Sequence, residues 1–169
     1  NAEAIDNPSS TINPIELIME SKESIRSKIA IYPNTMIIGV RAYKALLNHT
    51  KIVEKIKFTG VQKVSKDMLS ELFEIPNIKV GMALTSNDNT TFSDIWSDNI
   101  VLAYVDRSSS EERTEYNPSF GYTFQRQGLP ETDTYFENGG KIKVIRCTDN
   151  YGIKITGKDA GYLIKNICQ

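Results

Sequence analysis

The chain has 169 residues, of which 40% are apolar and 24% are charged, a proportion typical of a packed globular domain. Twenty basic residues against twenty-one acidic ones leave a net charge of −1, so neither a nucleic-acid-binding arm nor an acidic tail is indicated. The longest apolar run, residues 100–105, has six residues, where a membrane-spanning helix needs about twenty. The sequence therefore predicts no membrane-spanning segment.

The chain contains too few cysteine and histidine residues for the usual zinc and nucleophile-base sites. Cys147 and Cys168 form no CxxC spacing, and His49 is the single histidine, so we expect reduced thiols and no structural zinc site. Any nucleophile-base pair would have to use His49, which falls at a predicted helix end where capping or solvation explains it. Phosphate-binding glycine loops are absent as well.

The first residues predict a lead-in and a long helix. Asn1-Ala2 resembles the remnant of a cleaved expression tag, and residues 1–12 are predicted to be flexible. Asn13 can then cap a helix, with Pro14 at the first helical position and Glu16 in capping-box position.

Lys22 falls within the apolar stripe of this helix, which consists of Ile15, Ile18, Ile25 and Ile29. One interpretation is that Lys22 extends to solvent along its aliphatic stem. The other is that the helix lies partly across a surface that another chain covers.

One short strand and three helices are predicted between residue 33 and Pro76. Thr35 to Gly39 is predicted to be a buried strand, and helices are predicted from about Arg41, around residues 52–56, and after a capping Ser65. Beyond residue 78 the pattern becomes extended, and strands are predicted at residues 78–84, 100–105, 120–127, 129–136, 141–148 and 153–156.

Turns and a final helix complete the prediction. Asn138-Gly139-Gly140 is a hairpin turn signal, and residues 158–167 are predicted to form a helix with Ala160, Leu163, Ile164 and Ile167 on its inner side. Residues 85–91 and 106–118 are polar connections, long enough to be functional or mobile.

Two residue clusters invite a chemical interpretation. Asp94 and Asp98 flank Trp96 and could bind a hard cation or act as an acid/base pair, although a turn in which the aspartates bond to local backbone explains them better. Lysines around Phe58 are interleaved with acidic residues and fit a solvated helix face better than a nucleic-acid site; they are Lys51, Lys55, Lys57, Lys63 and Lys66. We predict no catalytic, cofactor-binding or metal-binding residue and no enzymatic activity.

Five ordered motifs resemble the major capsid proteins of tailed bacteriophages, particularly prophage-encoded coat proteins. They are Pro33-Asn34-Thr35-Met36-Ile37-Ile38-Gly39, Leu46-Leu47-Asn48-His49, Phe92-Ser93-Asp94-Ile95-Trp96, Pro118-Ser119-Phe120-Gly121-Tyr122-Thr123-Phe124, and Thr156-Gly157-Lys158-Asp159-Ala160-Gly161-Tyr162-Leu163-Ile164. The resemblance runs from about Asn13 to Ile167, nearly the whole chain.

The resemblance implies an α+β chain with the Hong Kong 97-like capsid fold, truncated, with a mixed sheet and flanking helices. Residues 13–32 would be the spine helix, 33–127 an axial-like domain, and 128–169 the return strands and terminal helix of the peripheral domain. The family's N-terminal arm, extended loop and first peripheral strands have no counterpart before Asn13.

The function implied is that of a structural subunit of an icosahedral phage or prophage capsid. Its partners would be copies of itself in pentamers and hexamers, with other capsid or scaffolding proteins as further candidates. The shell would enclose double-stranded DNA without sequence-specific binding, in the virion and, during assembly, in the bacterial cytoplasm. Near-neutral charge suits such a container, because a strongly basic wall would retain the packaged DNA. The alternative is a small α+β ligand-binding or metal-binding domain, with or without enzymatic activity, that uses the Asp94/Trp96/Asp98 region.

Overall fold

The computed structural model describes residues 13–57, 64–108, 112, 114 and 116–168. The predicted lead-in at residues 1–12, together with Phe58 and Lys63 of the lysine cluster, lies outside the described residues. The chain forms two compact units: residues up to Phe120 together with those from Gly157 onward, and the intervening Gly121–Thr156. We refer to them as the main unit and the arm.

The main unit begins with the predicted helix, α1 (Pro14–Ile29). The Asn13 side-chain oxygen accepts a hydrogen bond from the backbone N–H of Ile15 at 3.2 Å, and its amide donates to Glu16 at 2.8 Å. Proline occupies the first helical position, where its missing N–H is no loss. The sequence prediction of this helix start is confirmed.

Most predicted elements of the main unit are present at nearly the predicted positions. The helices are α2 (Val40–Asn48), α3 (Thr50–Lys57) and α4 (Lys66–Phe73), and the strands are β1 (Thr35–Gly39), β2 (Asn77–Gly81), β3 (Leu84–Thr85), β4 (Ser93–Asp94) and β5 (Ile100–Ala103). Ser65 caps α4 by accepting from the Met68 N–H at 3.3 Å, as predicted. The expected strand over residues 78–84 is divided, because β2 ends at Gly81 and the ladder of β3 and β4 starts at Leu84.

A four-stranded mixed sheet organises the main unit, in the order β10-β5-β1-β2, where β10 is Gly161–Ile164. β1 pairs parallel with β2 and antiparallel with β5. Apolar side chains of the sheet and of α1 to α4 form the core, including Ile18, Met36, Leu46, Phe73 and Leu102. Burial of such side chains, at about 1.5–3 kcal/mol each, is the main stabilising contribution.

The predicted helix over residues 158–167 is wrong. A short 3-10 turn at Lys158–Ala160 leads into β10 (Gly161–Ile164), which pairs antiparallel with β5. Gly161 lets the backbone pass close to Phe120, since a Cβ there would collide with the Phe120 ring. Leu163, expected on an inner helix face, is 48% exposed, whereas Ala160 and Ile167 are buried as expected. Tertiary pairing to an open sheet edge has overridden local helical spacing.

The arm consists of four strands in two antiparallel ladders. These strands are β6 (Gly121–Gln125), β7 (Glu131–Glu137), β8 (Ile142–Thr148) and β9 (Tyr151–Ile155); β6 pairs with β9, and β7 with β8. The turn predicted at Asn138-Gly139-Gly140 joins β7 to β8, and all three residues have positive φ. The described residues contain no helix that is long and apolar enough to cross a membrane.

The unit boundaries differ from the predicted domain boundaries. The arm starts at Gly121 rather than at residue 128, and residues from Gly157 onward return to the main unit rather than staying with the strands. The physical reason is β10, whose hydrogen bonds to β5 tie the end of the described chain into the main sheet.

Candidate functional site

Lys22 is an internal residue. Its side chain is buried, and its Nζ donates to the backbone oxygen of Phe73 at 2.6 Å and to the Glu74 carboxylate at 3.3 Å. The ammonium thus satisfies a carbonyl at the C-terminus of α4, where the helix dipole favours a positive charge. Neither predicted interpretation holds: Lys22 does not extend to solvent, and the stripe around it packs within the same chain.

His49 is buried between α2 and α3. Its Nδ1 accepts a hydrogen bond from the Lys51 N–H at 3.3 Å, and its backbone oxygen accepts from Ile52 and Val53 at 3.0 Å. Burial lowers the pKa of His49, and the charge of Lys51 lowers it further. The predicted role of His49 is corrected: the buried side chain caps the start of α3, and it neither lies in solvent nor caps the end of α2 as a cation.

The Asp94/Trp96/Asp98 region is a packed turn. Asp94 lies in β4 opposite Leu84, and Trp96 packs over Gly81, where a Cβ would lie 2.5 Å from the indole ring. The Trp96 backbone oxygen accepts from the Asn99 N–H at 3.0 Å and from its side-chain amide at 3.1 Å. Among the described residues, no group of three or more His, Cys, Asp or Glu side chains could hold a metal ion. No observation favours the predicted alternative of a metal-binding domain.

Asp88 braces the connection between β3 and β4. Its carboxylate accepts from the backbone N–H groups of Thr90 at 3.1 Å and Thr91 at 2.8 Å, and from the Thr91 hydroxyl at 3.0 Å. These hydrogen bonds, led by that from the Thr91 backbone, hold the pKa of Asp88 far below its usual range. The side chain is therefore charged at neutral pH, and it bridges the backbone of residues 88–91.

The second polar connection is described only in part. Asp106 accepts from the Ser108 N–H at 3.0 Å and from the Asn117 amide at 2.9 Å, and its own N–H donates to the Ser119 hydroxyl at 3.3 Å. This network ties the two ends of the connection together.

Two groups of exposed apolar side chains stand out, and the sequence did not predict their exposure. The first group surrounds β3 and β4, and we call residues 82–95 the knob: Met82, Leu84, Phe92 and Ile95 are all more than half exposed. The second group lies on the arm, in which no residue is buried: Phe124, Tyr135, Phe136, Ile142, Ile145, Tyr151, Ile153 and Ile155. The alternation of Tyr151, Ile153 and Ile155 was a usable signal for one apolar strand face, but the sequence does not show that this face is uncovered.

Comparisons with known proteins place the chain among phage proteins. No family model matches it. It is 46% identical over 156 residues to the major capsid protein of Burkholderia phage BcepMu, and the match covers 92% of this chain and 50% of that protein.

A solved structure agrees with this relationship. The crystal structure of a phage-related protein from Bordetella bronchiseptica RB50 superposes with a TM-score of 0.85 at 31% identity, covering 99% of this chain and 55% of that one. The chain thus spans about half the length of the relatives it matches. By sequence it belongs with the phage major capsid proteins, as the five ordered motifs predicted.

Proposed function

We propose that this chain is part of a structural coat subunit, without enzymatic activity, that self-assembles into pentamers and hexamers enclosing double-stranded DNA. The proposal includes the Hong Kong 97-like fold, with α1 as spine, a mainly axial main unit and the arm as peripheral strands. The subunit would act in the virion and, during assembly, in the host cytoplasm. The supporting observation is the arm, a 36-residue unit in which no residue is buried.

The arm presents apolar side chains on both of its faces. In the β6-β9 ladder, Tyr151, Ile153 and Ile155 lie on one face, and Tyr122 and Phe124 lie on the other. An isolated two-stranded ribbon is at best marginally stable in water. Contacts that cover these faces would contribute about 1.5–3 kcal/mol for each large side chain buried.

A shell provides such contacts. Every subunit of a closed assembly repeats the same surfaces, so modest contacts are multiplied over many copies. The roles of three polar side chains support the same proposal, because Lys22, His49 and Asp88 each have a structural hydrogen-bonding role.

The test is electron microscopy of the longer protein that contains this chain, expressed alone. We expect closed particles, or rings of five and six subunits. Ile153→Asp, which puts a charge on the exposed arm stripe, should prevent assembly, whereas Lys154→Ser on the opposite face of the same strand should not. A longer protein that remains monomeric would contradict the proposal.

A further inference from the structure

We propose that the knob of one copy docks head-to-tail against the groove beside α3 of a second copy. The choice of a second copy as partner rests on the proposed coat function. The groove is open, has a volume of about 400 Å³, and is lined by Asn13, Ile15, Lys51, Glu54 and Lys55.

The knob exposes several large apolar side chains to solvent. Met82 is 73% exposed, Leu84 57% and Phe92 65%. Ile95 is a fourth apolar side chain of the knob that is more than half exposed. Exposed apolar surface of this kind marks interaction sites. A standard interface buries about 800 Å² per partner, with an apolar centre and a polar rim. The knob therefore suits the centre of an interface.

The backbone of the knob is also braced by hydrogen bonds. Asp88 fixes the tip through Thr90 and Thr91, and the Ile95 N–H donates to the Ala83 oxygen at 3.0 Å. Trp96 packs over Gly81 at its base. A preorganised surface loses less conformational entropy on binding than a mobile loop does.

The charges of the two surfaces favour docking of the knob against the groove. From residue 80 to residue 106 the sequence contains no lysine or arginine, and the knob and its base carry Asp88, Asp94 and Asp98. The groove is lined by two basic residues, Lys51 and Lys55, against a single acidic residue, Glu54. Opposite potentials on two patches of one chain favour contact between copies.

The two patches lie at opposite ends of α2. The Arg41 N–H, in the first turn of α2, donates to the Ser97 oxygen at 3.3 Å, next to the base of the knob. At the other end His49 leads into α3, and nine helical residues separate the ends by about 13 Å. Because the knob and the groove are different surfaces, the contact is heterologous, and repeated contacts of this kind close into rings or propagate.

The experiment measures self-association of the 169-residue chain by sedimentation velocity, from micromolar to millimolar concentration. We expect the wild-type chain to associate, more strongly at low salt. Two variants should each weaken association at least tenfold: the double variant Leu84→Ser/Phe92→Ser on the knob, and Lys55→Glu in the groove. All three side chains are exposed, so the fold should be retained, as circular dichroism and thermal unfolding will show; Met82→Ser provides a second, milder knob variant.

Mixing the two defective variants tests the head-to-tail geometry. The knob variant retains an intact groove and the groove variant retains an intact knob, so an equimolar mixture should form dimers that neither variant forms alone. Tyr116→Ser is the matched control, because it removes a large, strongly exposed side chain that lies outside the knob, the groove and the arm. It should leave association unchanged.

Three results with the 169-residue chain would overturn the docking proposal: a wild-type chain that stays monomeric at millimolar concentration, a mixture that forms no dimers, or a Tyr116→Ser control as defective as the knob variant. The docking proposal and the coat function can fail independently of each other. If the longer protein assembles equally well with Leu84→Ser/Phe92→Ser, the docking proposal fails and the coat function stands. If the longer wild-type protein stays monomeric while this chain dimerises as described, only the coat function fails.

Discussion

At the scale of single residues, Lys22 shows how a charge on an apolar helix stripe is accommodated within one chain. Its ammonium occupies the C-terminal end of α4, where backbone carbonyls lack helical partners. The neighbouring Glu74 carboxylate balances the charge but is largely exposed. The hydrogen bond to the Phe73 oxygen is therefore the more important of the two contacts.

Lys22→Met should destabilise the chain by about 1–3 kcal/mol, because it leaves the buried Phe73 oxygen without its donor. Urea unfolding monitored by circular dichroism measures the change. Glu74→Gln is the matched control and should have little effect, since the exposed ion pair is screened by water. Equal stability of Lys22→Met and wild type would contradict this role.

His49 should make stability depend on pH. Because the pKa of the folded side chain is lowered, the unfolded chain binds a proton at His49 more readily than the folded chain does. The free energy of unfolding should therefore decrease as the pH falls from about 7.5 to 5.5, through the titration of an unfolded histidine near 6.5.

Urea titrations at both pH values, for wild type and for His49→Asn, measure this contribution. Asparagine retains an acceptor before α3 but does not titrate in this range. The variant should lose less stability on acidification than wild type. An equal loss in both proteins would assign the pH dependence to other groups.

At the scale of secondary-structure elements, β10 depends on a close approach that only glycine permits. A side chain at Gly161 would collide with the Phe120 ring, whereas a Cβ at Gly152 in β9 meets no atom within 4 Å. Phe120 is itself held in the main unit, as its N–H donates to the Tyr104 oxygen at 2.9 Å.

Gly161→Ala should therefore destabilise the main unit by about 1–3 kcal/mol, the usual consequence of overpacking. Gly152→Ala, also in a strand, should change stability by less than about 0.5 kcal/mol. Thermal unfolding of both variants gives the comparison. A Gly161→Ala variant as stable as Gly152→Ala would show that the Phe120 ring can move away without cost.

At the scale of the whole molecule, stability is concentrated in the main unit, because every described residue that is buried belongs to it. The arm leaves the main unit after Phe120 and returns at Gly157, where the Gly157 N–H donates to the Phe120 oxygen at 3.3 Å. Its two ends are therefore adjacent, and a short link can close the gap.

Replacing Gly121–Thr156 by a short glycine-serine link should leave a cooperatively folded main unit, with a free energy of unfolding within about 1 kcal/mol of the full chain. The arm buries no side chain, and a shorter loop costs less closure entropy. Urea unfolding and near-ultraviolet circular dichroism test this expectation. A shortened chain that fails to fold would show that the arm is needed for the stability of the main unit.

Local patterns in the sequence determined the capped start of α1, the boundaries of β1, the Ser65 cap and the turn at Asn138 to Gly140. These features depend on contacts within a few residues, so neighbouring side chains specify them. The ordered motifs also identified the family, since they are a property of the sequence itself.

Only the tertiary structure decided the role of Lys22, the strand conformation of β10 and the exposure of the knob and the arm. Lys22 meets a carbonyl 51 positions away, and β10 pairs with a strand some 60 positions earlier. Such contacts depend on how distant segments meet in space. The sequence also does not show whether another segment covers a given apolar residue.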